Sequence, residues 1–185
     1  IVDFINKDST FHKVLDQKHS KEDILKVITA YKSVFEPGSK YEYSNSNYFI
    51  LGCIIETLTK KSYAENLENR IVKKVGLGTF EDKTEMTDKG AVTNKVFVTT
   101  TYYKEAATNT ENKESYSYYF DGANWVKSYE NHNSIAFSSG GIIATPADLT
   151  KFIYALFDGK LVKPTSLDQM KEIKEGYGMA LIQFP

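Results

Sequence analysis

The sequence predicts an α+β fold: a helical part over residues 1–90, a β-rich insertion over 91–137, and a closing stretch, 138–185, with a glycine turn, late helices and the start of a sheet strand. Three observations carry this reading. In the first half, apolar residues recur at helical spacing behind capping signals. From Val92 to Tyr129 the composition shifts to Thr, Val, Tyr, Phe and Trp, the residues that favour strands. Thr145-Pro146-Ala147-Asp148 then supplies an N-cap, a proline at the first helical position and an acidic N3 residue, the clearest helix start in the chain.

Along the chain, a loop around Ile1 to Thr10 precedes a helix that opens at Ser20, with Asp23 completing a capping box. Ile24, Leu25, Ile28, Tyr31 and Phe35 form its stripe, and Pro37-Gly38 is placed to stop it. A short extended run, Lys40 to Tyr43, leads into Ser44-Asn45-Ser46-Asn47, from which a second helix begins. Its apolar residues, from Tyr48 through Phe49, Ile50, Leu51, Cys53, Ile54 and Ile55 to Leu58, lie nearly all round, the pattern of a central, buried helix. Ser62 with Glu65 caps a third helix that points Leu67, Ile71 and Val75 inward and ends at Gly76.

Within the insertion, Asp121-Gly122 between Tyr116–Phe120 and Trp125-Val126 predicts a hairpin, and Asn109 to Ser115 is polar enough for an exposed loop or edge strand. The helix opened by Thr145 is expected to bury Leu149, Phe152, Ile153, Leu156 and Phe157 and to close at Gly159. A short helix from Ser166 to Ile173 and the beginning of a strand from Tyr177 to Phe184 complete the expectation.

Composition narrows the function. At 41% apolar and 25% charged residues this is an ordinary globular sequence. With 23 basic against 24 acidic side chains there is no net field to attract nucleic acid or an anionic membrane, so no nucleic-acid partner is expected. The longest apolar stretch, Tyr48 to Ile55, is too short to cross a bilayer. Cys53 is the only cysteine, which excludes an intrachain disulfide and leaves the compartment open; inside an apolar helix it reads as a small hydrophobe. His12, His19 and His132 lack metal-ligand spacing, so no metal is expected.

A Tyr-x-Asn triplet such as Tyr43-Ser44-Asn45 says little alone; Asn45 could be an N-cap and Tyr43 one more half-buried ring. Its flanks change that. The string from Phe35-Glu36-Pro37-Gly38 through Tyr41-Glu42-Tyr43-Ser44-Asn45-Ser46-Asn47-Tyr48-Phe49-Ile50-Leu51-Gly52 resembles the second motif region of the serine β-lactamase and penicillin-binding protein family. The branch is that of class C β-lactamases, D-Ala-D-Ala carboxypeptidases, D-aminopeptidases and related esterases. Ser62 to Leu77, Gly140-Gly141-Ile142-Ile143-Ala144-Thr145-Pro146-Ala147-Asp148-Leu149 and Tyr177-Gly178-Met179-Ala180 are similar to later segments of that family in the same order, and Ile1-Val2-Asp3-Phe4 to an earlier one.

The resemblance implies the helical subdomain of that fold with most of the central sheet missing. It implies acyl-enzyme chemistry on a small-molecule or peptide substrate, without a cofactor. Tyr43 would move the proton between nucleophile and leaving group, and Asn45 would orient the substrate carbonyl. An unperturbed phenol titrates near pH ~10, so such a base needs cations or a lysine relay beside it. Ser139, Gly140 and Gly141 are the implied substrate-binding turn. Neither the Ser-x-x-Lys nucleophile motif nor the family's last strand motif occurs in the 185 residues. The chain is therefore expected to be the middle segment of a longer serine hydrolase, silent by itself, with an uncovered apolar face open to self-association or segment swapping. Two alternatives stay open: a non-catalytic peptide- or peptidoglycan-binding relative, and a stand-alone interaction module. A periplasmic or secreted location is implied by the resemblance only.

Overall fold

The structure is a computed structural model and describes residues 3–7, 17–104, 114–128, 132–174 and 176–183. The order is α1 (Phe4–Lys7), α2 (Lys21–Ala30), α3 (Asn45–Thr59), α4 (Tyr63–Leu67), a π turn (Glu68–Val72), α5 (Lys73–Val75), β1 (Gly78–Thr87), β2 (Gly90–Thr99), β3 (Tyr102–Tyr103), β4 (Tyr118–Phe120), β5 (Trp125–Lys127), α6 (Asn133–Ala136), a 3-10 turn (Phe137–Ser139), β6 (Ile142–Ile143), α7 (Pro146–Phe157) and α8 (Pro164–Met170). The chain divides into two units, Ile1–Tyr63 with Tyr103–Ile143, and Ala64–Tyr102 with Ala144–Pro185. His12, half of the Ile1–Thr10 segment and most of Asn109–Ser115 lie outside the described residues; Phe4–Lys7, expected as loop, is a helical turn.

The first unit is built on α3. Phe4, Ile24, Ile28, Phe49, Ile135 and Phe137 form its buried core, with Phe49 at 5.9 Å from Phe4 and 5.2 Å from Phe137, both edge-on, the geometry that the ring quadrupole favours. Glu56 ties three elements together. It receives the Lys21 ammonium at the start of α2 and, through Oε1, the Tyr63 N–H at 2.8 Å. The Ser20 hydroxyl accepts the Asp23 N–H at 3.1 Å and caps α2 as expected, but the helix ends at Ala30, well before Pro37. Val27, Ile28 and Thr29 place β-branched residues in succession there, and the Thr29 hydroxyl bonds back to Leu25 O and Lys26 O, both features that weaken a helix end.

The expectation of an α3 buried on most sides is corrected. Ser46, Phe49 and Gly52 are buried, while Tyr48, Leu51, Ile54, Ile55 and Leu58 are exposed, Leu58 to 78%. At helical spacing these five occupy one contiguous arc, opposite the packed side. The all-round pattern registers apolarity on every side, whereas the described residues of this unit pack against one.

The same unit carries the hairpin expected at Asp121-Gly122. Its strands pair Tyr118 with Lys127, Tyr119 with Val126 and Phe120 with Trp125. Asp121 fixes the turn, its Oδ1 accepting the N–H groups of Ala123 at 2.8 Å and Asn124 at 2.7 Å, bonds that hold its carboxyl below the usual carboxylate value.

The second unit opens with a helix whose periodicity is interrupted. The Lys73 N–H reaches back five residues to Glu68 O, so the turn Glu68–Val72 holds an extra residue. After Leu67 the inward position therefore falls on Val72, buried, rather than on Ile71, which is only half-buried. Gly76, at φ 70, ends the helix in the left-handed conformation, and Leu77 N–H returns to Val72 O at 3.0 Å.

A ten-residue hairpin, β1 with β2, follows, paired from Gly78↔Thr99 to Thr87↔Gly90. Its first strand, Gly78–Thr87, lies inside the stretch 1–90 expected as helical, so the β structure begins earlier than the change in composition at Val92. Later, Thr145 caps α7 as expected, accepting the Asp148 N–H at 3.1 Å, and Gly159 turns the chain at φ 72. The buried side of α7 is nevertheless Asp148, Ala155 and Leu156, with Leu149, Ile153 and Phe157 exposed, which corrects the expected stripe. Tyr177 onward forms isolated bridges, to Lys174 and Ile182, rather than a strand.

Asp148 is 2% exposed and is held by Thr100 and Thr101, whose hydroxyls donate to Oδ2, and by Lys151, 3.4 Å from Oδ1. Burial pushes its carboxyl up, but the three donors together outweigh that and hold it below the usual value. A lowered folded value means that the stabilisation is present above the unfolded pKa, ~3.9, and is lost as pH falls through the folded one. Asp148→Asn is expected to lose about 1–3 kcal/mol at pH 7. Urea midpoints taken from pH 7 to pH 3 should fall less steeply for the variant than for the parent; parallel curves would remove Asp148 from the acid response.

Candidate functional site

Pro37 and Gly38 set up the site by turning the chain sharply. Gly38 lies at φ 79 and the Ser39 N–H and hydroxyl both bond to Glu36 O, at 3.0 and 2.7 Å. Residues 40–43 then run extended to Ser44, the N-cap of α3 at φ −153. Tyr43 stands just outside the helix and Asn45 on its first turn.

The Tyr43 hydroxyl, on a ring 56% exposed, donates to Asn45 Oδ1 at 3.1 Å, and Asn45 Nδ2 donates to Asp3 Oδ2 at 3.0 Å. The amide turns its oxygen to the phenol and its NH₂ end to the Asp3 carboxylate, the orientation in which both neighbours are satisfied. Asp3 is itself buried and fixed, its Oδ1 accepting the Ile5 N–H at 3.1 Å. Beside it the Phe4 N–H donates to the Ser46 hydroxyl at 3.1 Å. The segment from Asp3 is thus clamped to the first turn of α3, and the result is one directed line: phenol to amide to carboxylate. Between Tyr43 and Asn45, the Ser44 hydroxyl is buried with no hydrogen-bond partner among the described residues.

The glycine turn reaches the same helix one turn further on. Ser138 donates to Tyr48 O at 2.7 Å, and the Ser139 hydroxyl closes its own turn on Ala136 O at 2.5 Å. Phe137 holds φ 39, a positive value that a bulky residue adopts only when its surroundings impose it. Those surroundings are Phe49, Tyr63 at 5.3 Å, Tyr103 at 6.2 Å and the Lys21 ammonium, 4.2 Å over the ring. Gly140 is exposed and extended; a Cβ there would meet only Ala136, at 3.9 Å. Gly141 is buried, and a Cβ would come within 2.6 Å of both Phe137 O and the Tyr103 ring. Of the three turn residues, Gly141 serves packing, Ser139 closes the turn, and Gly140 leaves backbone open at the surface.

Gly52 makes this approach feasible. A Cβ at residue 52 would lie 2.0 Å from Ser138 Oγ, 2.5 Å from Ser138 Cβ and 2.7 Å from the Phe137 ring. In a free helix Gly→Ala gains about 1 kcal/mol. Here the insertion strains a strained turn, at a cost of about 1–3 kcal/mol before the Ser138 bond is counted. Gly52→Ala is therefore expected to lower the unfolding midpoint; a raised midpoint would show that the turn yields freely.

The remaining candidates lie elsewhere. His132 caps α6, its Nδ1 2.9 Å from Ser134 Oγ, and the His19 N–H donates to that same hydroxyl at 3.0 Å. Cys53 is half-buried, and burial pushes its thiol up, away from the reactive thiolate. Among the described residues no cluster of three or more His, Cys, Asp or Glu could hold a metal ion, and no helix is long and apolar enough to cross a membrane. Asp3 is the residue that motif reasoning passed over as a partner: it lies 42 positions from Asn45, and only its place before Phe4 in the family resemblance hinted at it.

A family model described as Beta-lactamase matches residues 5–177. The putative penicillin-binding protein PbpX of Bacillus subtilis (strain 168) is 29% identical over 152 residues, covering 80% of this chain and 32% of that protein. Protein flp of Staphylococcus aureus (strain N315) is 34% identical over 70 residues, 37% of this chain and 14% of that one. The chain thus spans a third or less of the length of these curated relatives. Among solved structures, D-amino acid amidase from Ochrobactrum anthropi SV3, complexed with L-phenylalanine amide, is similar at a TM-score of 0.64 and 26% identity, covering 85% of this chain and 41% of that one. A D-stereospecific amidohydrolase from Streptomyces sp. has the same fold at a TM-score of 0.68 and 22% identity, covering 95% and 48%.

Proposed function

The chain belongs to the Beta-lactamase family, and from that premise we propose that it forms the Tyr-x-Asn wall of a serine hydrolase that builds an acyl-enzyme on an amide or ester. The line from Tyr43 through Asn45 to Asp3 is the observation that carries the proposal. A serine supplied from outside these residues attacks the carbonyl; its proton passes by way of the Tyr43 oxygen to the leaving nitrogen or oxygen. The second Asn45 amide hydrogen, beyond the one given to Asp3, holds the substrate's own carbonyl. Asp3 keeps that amide from rotating, so its geometry is set before substrate arrives. The exposed backbone at Gly140 forms the other side of the binding turn, with Ser139 and Gly141 shaping it. No cofactor enters this chemistry, and the chain by itself is inactive because it holds no Ser-x-x-Lys pair.

D-amino acid amides, D-amino acid peptides, β-lactams and short esters are the substrate classes to compare. The test gives one of each, with the L-amino acid amide as control, to the full-length protein and follows intact mass. An acyl adduct that forms on a serine and is released by water is the expected result. Calorimetric binding of a peptide with neither adduct nor turnover would replace this reading by the non-catalytic binder.

A further inference from the structure

The hairpin of β4 and β5 presents one face made of aromatic rings. Residues two apart on a strand, and those directly opposite, share a face. The register Tyr118↔Lys127 and Phe120↔Trp125 therefore puts Tyr118, Phe120, Trp125 and Lys127 on one side, and Tyr119 with Val126 on the other. Tyr118 and Phe120 are exposed and Trp125 is 73% exposed. The Phe120 and Trp125 rings stand 5.6 Å apart with planes tilted by 54°, forming a corner. Along β4 the rings are roughly 6–7 Å apart, about the width of one sugar ring. Exposed rings gathered on one face make that face a candidate interaction surface.

The chemistry of the face selects its occupant. It carries no aliphatic side chain, unlike the Leu51, Ile54, Ile55 and Leu58 arc of α3, which has the composition of a packing surface. Its one cation is already engaged, the Lys127 ammonium lying 3.3 Å over the Tyr116 ring. At the tip, Asp121 spends Oδ1 on the N–H groups of Ala123 and Asn124. Among the described residues of the hairpin a phosphate or carboxylate ligand finds no free cation, and a lipid surface finds an acidic, polar tip where it needs apolar residues rimmed by lysine or arginine. Flat ring faces, negative at the centre, suit the C–H edges of an uncharged pyranose, while phenol and indole groups at the rim stay wet.

We propose that Tyr118, Phe120 and Trp125 form a stacking platform for a neutral oligosaccharide. The proposal goes beyond the acyl-transfer reading and does not depend on it. Its test titrates the full-length protein with uncharged β-1,4 hexasaccharides of glucose, mannose and N-acetylglucosamine, an acidic hexagalacturonate, and mixed phosphatidylcholine/phosphatidylglycerol vesicles, using calorimetry and saturation-transfer NMR. At least one neutral hexasaccharide should bind, receiving saturation at its ring C–H groups. Trp125→Ala should weaken that binding by about 2- to 10-fold, and Trp125→Ala with Phe120→Ala should abolish it. Tyr119→Ala, on the opposite face, should change nothing, and acylation rates should be the same in all variants. Binding to none of the neutral sugars, preference for the acid or the vesicles, or sugar binding indifferent to Trp125→Ala overturns the proposal. So does a Trp125→Ala variant that loses stability without any sugar binding by the parent, which would make the face an internal packing surface.

Discussion

Tyr43→Phe in the full-length protein should lower the acylation rate by about 10²–10⁴, the range for loss of a positioned acid-base group. The substitution is narrow. It removes one oxygen from a ring already 56% exposed, and with it one bond, to Asn45 Oδ1. An exposed neutral hydrogen bond is worth about 1 kcal/mol or less, so the unfolding midpoint should hardly move while turnover collapses. That split separates a chemical role from a structural one. Asn45 keeps its anchor on Asp3 in the variant, so substrate affinity should be largely preserved and the loss should appear in kcat. Stopped-flow acylation with a chromogenic ester or cephalosporin, beside a denaturation curve for the same protein, supplies both readouts. Turnover equal to the parent's would take Tyr43 out of the mechanism; a collapse of stability in step with activity would make it a packing residue.

What could be seen in the sequence was what is encoded locally. The Ser20 and Thr145 caps each lie within four residues of their partner, as does the Asp121 turn, and each formed where its pattern stood. Strand β1 was hidden because Glu81, Asp82, Lys83 and Glu85 are residues that strands disfavour; the strand pairs with β2, and these four side chains are exposed, so it can carry them. The π turn leaves no compositional mark either, since one additional residue per turn looks like any other helical stretch until its hydrogen bond to Glu68 O is seen. Burial was the least legible property. Apolar positions on α3 and α7 tell which residues avoid water, but not which of them this chain covers. At the site, Tyr43 and Asn45 were found through their flanking string, whereas Asp3 and the Gly52–Ser138 approach join residues 42 and 86 positions apart, beyond any local motif.

The isolated 185 residues should be chemically silent toward a labelled fluorophosphonate or penicillin, while the full-length protein takes up one label per molecule. Nucleophile, base and orienting groups act as a unit, and removing the nucleophile costs about as much as removing all of them. The hydroxyls near the surviving motif are already committed or enclosed. Ser138 donates to Tyr48 O, Ser139 to Ala136 O, and the Ser44 hydroxyl is sealed from solvent at 2% residue exposure. None has a lysine three residues on, the spacing that would put amine and hydroxyl on one helical face. Ser134 is the nearest approach to an activated serine, with His132 Nδ1 at 2.9 Å, but the same ring nitrogen accepts the Ser134 N–H at 3.1 Å. That imidazole is therefore serving as a helix cap rather than standing free to carry a proton away. Intact mass of both proteins after labelling, with peptide mapping of any adduct, decides the matter. Stoichiometric label on the isolated chain, at Ser134 or elsewhere, would mean that the nucleophile lies within these residues, and the roles given to Tyr43 and Asn45 would have to be abandoned even with the fold intact.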